Sequence, residues 1–136
     1  MEFKILAVGD VVGNPGMDRV RRSLRFLKRK TGADFVVVNG ENASVVGMTP
    51  QQGEDILDAG ADAITMGNHT FNRREIVSYL DDCPQIVRPA NYAPQVPGRG
   101  WQIFDTKAGP VALIDLIGRC NMDYGPDNPF LIIDKI

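Results

Sequence analysis

Three apolar runs separated by helix-like segments dominate the pattern of hydrophobic and polar positions. The runs are residues 3–9, 34–39 and 61–66, and the second has three consecutive valines at its centre. Short, nearly continuous apolar runs are typical of strands that are buried on both faces, as in parallel sheets. The pattern therefore predicts a parallel sheet built from βα units.

Helical signals follow each of these strands. An apolar stripe at three- and four-residue spacing predicts a first helix over residues 17–30, and its members are Met17, Val20, Leu24 and Leu27. Thr49 followed by Pro50 is a typical helix start and predicts a second helix that ends near residue 60. Asn72 with Glu75 resembles a capping box and predicts a third helix that continues to residue 80.

The last third of the chain has a different pattern. Residues 85–88 predict an edge strand, and the proline- and glycine-rich residues 89–100 predict a long loop of a length that often has a function. Residues 101–106 and 111–117 predict two strands joined by a tight turn. The predicted fold class is therefore α/β, mainly βα units with a late antiparallel hairpin. The apolar residues 130–136 need a surface to pack on.

Composition narrows the class of protein. A chain of 136 residues fits one domain, and 43% hydrophobic with 24% charged residues is ordinary for a globular protein. The net charge of -2 gives no bulk attraction to nucleic acid or to a membrane. Cys83 and Cys120 have neither metal-site nor disulfide-framework spacing, which predicts free thiols in a reducing cytoplasm. The first apolar run is too short to span a membrane.

Polar residues follow each of the three predicted strands. Asp10 follows the first strand, Glu41 and Asn42 follow the second, and Asn68 and His69 follow the third. Because the carboxyl ends of parallel strands meet at one edge of a sheet, these side chains should converge. Carboxylate, amide and imidazole groups are metal ligands, and a carboxylate such as Glu41 can bridge two cations. The pattern predicts a metal site, and a paired-metal site would generate a hydroxide nucleophile and hold a phosphoryl group.

A structural interpretation of the same residues is also open. Asp10 could cap the following helix, Asn42 and Asn68 could form side-chain turns, and Glu41 could face solvent. His69 is the only histidine in the chain, and it could be a loop residue that bonds a neighbouring carbonyl. All five residues being structural by coincidence is the weaker interpretation.

Four segments resemble one bacterial family, the calcineurin-like metallophosphoesterases described as 2′,3′-cyclic nucleotide phosphodiesterases. The segments are GDVVG at residues 9–13, NGENA at 39–43, GADAITMGNHT at 60–70 and VRPAN at 87–91. The resemblance runs in order along essentially the whole chain. It implies a four-layer α/β/β/α sandwich and a two-metal centre that usually holds iron or manganese.

The resemblance also implies roles for the five residues. Asp10, Glu41 and Asn42 would bind the first metal, and Glu41 would bridge to a second metal that Asn68 also binds. His69 would give a proton to the leaving oxygen. The implied substrate is a phosphodiester or cyclic nucleotide.

The chain resembles only the amino-terminal half of this family. Members are about twice as long, and their second half supplies further histidine ligands, whereas this sequence has no histidine after His69. We therefore expect half of a sandwich with one uncovered sheet face, which predicts a homo-oligomer or a complementing carboxyl-terminal half. The chain alone should be inactive or weakly active.

A second hypothesis is a non-catalytic module of the same fold. The first predicted helix has a strongly basic face that could contact RNA, formed by Arg19, Arg21, Arg22, Arg25, Lys28, Arg29 and Lys30. Such a charge run is more often a solvated helix face than a nucleic-acid contact.

Overall fold

A computed structural model describes residues 2–122 and 125–136. Its centre is a four-stranded parallel sheet, and the strands lie side by side in the order in which they occur along the chain. They are β1 (Ile5–Val8), β2 (Phe35–Asn39), β3 (Ala63–Thr65) and β4 (Ile86–Val87). The four predicted strands and their parallel arrangement are confirmed, and β4 lies at one end of this sheet.

The first helix, α1 (Gly13–Thr31), begins four residues earlier than the periodicity predicts. The Gly16 N–H donates to the Val12 carbonyl at 3.1 Å, so the first turn forms before the apolar stripe starts. Pro15 is tolerated in that turn because a first-turn residue needs no N–H partner. The helix ends as predicted at Gly32, whose φ of 66° is readily adopted by glycine.

The second helix, α2 (Pro50–Asp58), starts where the sequence predicts. Thr49 and Gln52 form a capping box, and a proline occupies the first turn. The third helix, α3 (Ile76–Asp82), begins later than predicted, and the capping box predicted at Asn72 is wrong. The Asn72 N–H instead donates to the His69 carbonyl, because the chain after β3 makes consecutive turns before it becomes helical.

The helices cover one face of the sheet. Residues from α1, α2 and α3 pack on Val36, Val38 and Ile64 to form a single buried apolar cluster. In β1 the alternation is clear, because Leu6 packs against this cluster while Ile5 points away and is 57% exposed. Strand β1 is thus covered on one face only in this chain.

A hairpin of β5 (Trp101–Thr106) and β6 (Gly109–Ile114) follows, as predicted, although β6 starts and ends earlier than expected. Phe104 of the hairpin contacts Phe35 of β2 edge-on, with ring centroids 5.2 Å apart. The apolar residues 130–136 contain a short helix, α4 (Pro129–Ile133), in which Phe130 is 80% exposed.

Two predictions from composition can be compared with the structure. Cys83 and Cys120 are both free thiols, as expected. Among the residues the structure describes, no helix is long and apolar enough to cross a membrane.

Candidate functional site

The loops that follow β1, β2 and β3 are joined to one another by backbone hydrogen bonds. Val11 N–H donates to the Asn39 carbonyl at 3.1 Å, and Gly13 N–H donates to the Asn42 carbonyl at 2.9 Å. Gly40 N–H donates to the Thr65 carbonyl at 3.0 Å, which ties the second loop to β3. The predicted convergence at the carboxyl edge of the sheet is therefore built into the backbone.

Four of the five predicted residues form one connected set of side-chain contacts. Asn42 Nδ2 donates to Asp10 Oδ1 at 2.7 Å, and Asn42 Oδ1 lies 2.6 Å from His69 Nδ1. The backbone N–H of His69 donates to Glu41 Oε2 at 3.1 Å, and that oxygen is 3.8 Å from His69 Nδ1. We call Asp10, Glu41, Asn42 and His69 the strand-end cluster.

The contacts of Asn42 determine which nitrogen of His69 carries a proton. An ionised carboxylate only accepts hydrogen bonds, so the amide must point its NH2 group at Asp10 and its oxygen at His69. The Nδ1 of His69 must then be the donor in the 2.6 Å contact. This leaves Nε2 as the ring nitrogen that can exchange a proton with a ligand.

Glu41 lies in a space that only glycine allows. Its side chain is 17% exposed and packs directly over Gly67, where an added Cβ would overlap both carboxylate oxygens. The absence of a side chain at residue 67 therefore creates the room that the carboxylate occupies. Asp10 is unusual in its backbone, because a φ of 44° is uncommon for a residue other than glycine, and such strain often occurs at functional sites.

Asn68 is not part of this contact set. Among the described residues, no side-chain hydrogen bond joins it to the strand-end cluster. Its side chain instead lines a cavity of about 270 Å³ with two aromatic residues, Phe71 and Tyr92. Sequence analysis did not identify these two residues, although it singled out the long loop that contains Tyr92.

Asp115 is a third carboxylate near the site, and sequence analysis did not identify it. It is only 8% exposed, and its Oδ2 accepts a hydrogen bond from the Met66 N–H at 3.2 Å, just before the third loop. Burial raises the pKa of Asp115 to about 7, and the nearby Glu41 charge adds to the effect while Arg88 opposes it. The sequence feature that could have identified Asp115 is its position as the single carboxylate inside the apolar run 111–117.

The donor groups at the strand ends include few anionic side chains. Among residues 2–122 and 125–136, no three His, Cys, Asp or Glu side chains are close enough together to hold a metal ion. The oxygen donors available at the strand ends are the carboxylates of Asp10 and Glu41 and the amides of Asn42 and Asn68.

The basic face of α1 is partly neutralised by neighbouring elements. Arg21 pairs with Asp55 at 2.6 Å, and Lys28 pairs with Asp62 at 2.7 Å. Arg25 donates to a backbone carbonyl of residue 58. Because part of the predicted basic face is engaged within the fold, the contacts favour a structural role for it over contact with RNA.

Comparison with known proteins finds relatives that are named as a phosphodiesterase or a putative phosphatase/phosphodiesterase. Residues 6–136 match the model of a family described as YmdB-like protein. The chain is 42% identical over 135 residues to a Bacillus subtilis protein named 2',3'-cyclic-nucleotide 2'-phosphodiesterase. It is 30% identical over 140 residues to a Mycoplasma pneumoniae protein named putative phosphatase/phosphodiesterase. These matches cover 98% of the chain but only 51% and 50% of the relatives.

Solved structures agree with the sequence matches. A hypothetical protein from Thermus thermophilus has a TM-score of 0.87 at 31% identity, over 96% of this chain and 51% of the other. A structure titled as a novel phosphatase from Mycoplasma pneumoniae has a TM-score of 0.89 at 28% identity, over 98% of this chain and 50% of the other. The chain thus spans about half the length of the proteins it matches.

Proposed function

The chain belongs to the family of YmdB-like proteins, and we propose that it carries part of the active site of a metal-dependent phosphodiesterase. The proposed substrates are cyclic nucleotides or related phosphodiesters, in line with the name of the Bacillus subtilis relative. Because the chain matches about half of each relative, the activity is proposed for the whole protein. The observation that carries the proposal is the connected strand-end cluster of two carboxylates, one amide and one imidazole.

The residues at this edge of the sheet fit a hard metal ion. Carboxylate and amide oxygens suit manganese, and a nearby imidazole also suits iron. Glu41 is held in the cradle at Gly67, and Asn42 Oδ1 keeps a second lone pair besides the one that faces His69. We assign Asp10, Glu41, Asn42 and Asn68 as metal-binding residues, with Glu41 able to bridge two ions through its two oxygens. Metal ions bound there would supply a nucleophile at neutral pH and neutralise the charge of the phosphoryl oxygens.

His69 is the proposed proton donor to the leaving oxygen, and it would act as the imidazolium, which carries a proton on both Nδ1 and Nε2. Its Nδ1 is directed at Asn42, so the imidazole ring is oriented and Nε2 is the atom available to the substrate. The hydrogen bond from its own backbone N–H to Glu41 fixes the loop on which the ring is carried. Positioning of this kind is required of a general acid, which typically contributes about 10²- to 10⁴-fold in rate.

Metal binding gives the first test of this proposal. We expect the purified chain to bind manganese, although weakly, and Glu41→Gln to lose more metal than Asn42→Ala because it removes the bridging anion. Glu54→Gln is the matched control, since Glu54 is an exposed carboxylate on α2. Equal manganese retention in Glu41→Gln and Glu54→Gln, by elemental analysis after dialysis, would contradict the assignment of Glu41.

Turnover of a chromogenic phosphodiester, bis(p-nitrophenyl) phosphate, gives the second test. In a form of the protein that hydrolyses it, His69→Ala should lower the rate about 10²- to 10⁴-fold while bound metal stays nearly unchanged. If His69→Ala also loses its bound metal, His69 is a metal ligand, and its assignment as proton donor is wrong.

A further inference from the structure

A cavity of about 270 Å³ opens beside the strand-end cluster, between the loop after β3 and the loop after β4. It is lined by Asn68, Phe71, Asn72, Tyr92, Ala93 and Val96. We infer that this cavity binds the nucleobase of a nucleotide substrate, an inference that rests on the proposed phosphodiesterase function. Its place beyond the carboxyl ends of two parallel strands is where open α/β sheets bind ligands.

The walls of the cavity suit a flat aromatic ligand. The rings of Phe71 and Tyr92 contact each other with centroids 5.9 Å apart and planes tilted by 38°, so they form one continuous aromatic wall. A base would stack against this wall and not between the rings, because the rings already touch. The amide of Asn72 offers both donors and an acceptor for the polar edge of a base.

The uncharged lining of the cavity favours the base of a nucleotide over its phosphate. None of the six lining residues has a side chain that is charged at neutral pH. A cavity without cations does not attract a phosphate group. A neutral base, in contrast, has only a small desolvation cost when it moves from water to an apolar wall. Asn68 borders the cavity and precedes His69 in the sequence, so the phosphate of the same ligand would lie toward the strand-end cluster.

The loop that forms the far wall is held in place before any ligand binds. Arg88 is 5% exposed, and its guanidinium donates to the carbonyls of Pro89, Val96 and Pro97 at 2.9, 3.3 and 3.3 Å. The Tyr92 hydroxyl donates to the Gly67 carbonyl at 3.2 Å, which connects the two loops across the cavity. A preformed pocket binds its ligand with a smaller loss of conformational entropy.

Binding of adenosine tests the inference without requiring turnover. In ¹⁵N NMR titrations of the metal-free chain, adenosine should shift the amide resonances of the cavity residues 71, 72, 92, 93 and 96, whereas inorganic phosphate should leave these resonances unchanged. Phe71→Leu keeps an apolar side chain but removes the stacking surface, so the affinity for adenosine should fall about tenfold. Phe26→Leu is the matched control, because Phe26 is an exposed aromatic residue on α1.

Two results would overturn the inference. One is that adenosine leaves the resonances of both loops unchanged in the wild-type chain, which does not depend on how the variants fold. The other is an equal affinity for adenosine in Phe71→Leu and Phe26→Leu. Neither result bears on manganese binding through Glu41 or on phosphodiester hydrolysis, so failure of the base site and failure of the proposed function are distinguishable.

Discussion

A single methyl group at Gly67 would displace one of the carboxylates of the proposed metal site. A Cβ at this position would lie inside the 3.0 Å limit that real Cβ contacts respect, against the carboxylate carbon and both oxygens of Glu41. Gly67 is not among the glycines with positive φ, so alanine is compatible with the backbone itself. Gly67→Ala therefore acts by displacing Glu41.

The structure allows the size of the effect to be worked out. The carboxylate must move by about 1 Å to reach an ordinary contact distance, and a misplacement of that size in an active site can cost roughly 10²-fold in rate. The 3.1 Å hydrogen bond from His69 N–H to Glu41 would be stretched beyond a normal length. We expect manganese affinity to fall by roughly 10- to 100-fold, as when a supporting contact of a metal ligand is lost.

Gly9→Ala is the matched control for this experiment. Gly9 lies at the same edge of the sheet, directly after β1, and an added Cβ there meets no atom within 4 Å. Manganese affinity, measured by competition with a fluorescent chelator, should fall in Gly67→Ala and stay near wild type in Gly9→Ala. If both variants bind manganese equally well, Glu41 is not a ligand of the metal ion.

Three further predictions concern stability and assembly. Because the raised pKa of Asp115 makes the folded state bind its proton more tightly than the unfolded chain, stability should fall from about pH 4 to pH 7, by at most about 1.4 kcal/mol per pH unit. Asp115→Asn should flatten this slope in urea melts of the metal-free chain, and an unchanged slope would contradict it. Thr49→Ala should lower stability by about 1 kcal/mol through loss of the α2 cap, and an unchanged melt would refute the capping role. The apolar surface at Ile5, Trp101 and Phe130 should make the chain self-associate, and a monodisperse monomer in light scattering across a dilution series would contradict this.

The parts of the fold that could be predicted from sequence are those set by local pattern. The strands and the start of α2 follow from short-range periodicity and capping. The start of α3 could not be predicted in the same way, because the turns after His69 depend on contacts made by the loop as a whole. Asn72 is of a residue type that often caps helices, but here it lies in one of these turns. A local motif predicts a helix start only where the chain around it is free to adopt one.

The same distinction applies to the site. The strand-end cluster was predictable because parallel strands bring their ends together whatever the side chains are. The aromatic cavity was not, because Tyr92 reaches it only through a loop that the buried Arg88 folds back on itself. No periodicity in the sequence encodes that contact. The buried carboxylate of Asp115 depends likewise on how the hairpin lies against β3.

The strand-end cluster depends on a definite order of contacts among its members. Asp10 fixes the orientation of the Asn42 amide, and that amide in turn fixes the proton on His69 Nδ1. Removing the carboxylate of Asp10 would leave the amide free to rotate, so the imidazole would lose its orientation as well as a neighbouring anion. A residue at the end of β1 can therefore control the chemistry of a residue at the end of β3 through the amide that lies between them. The three loops act as one unit because the Asp10 carboxylate orients the Asn42 amide, and that amide orients the His69 imidazole.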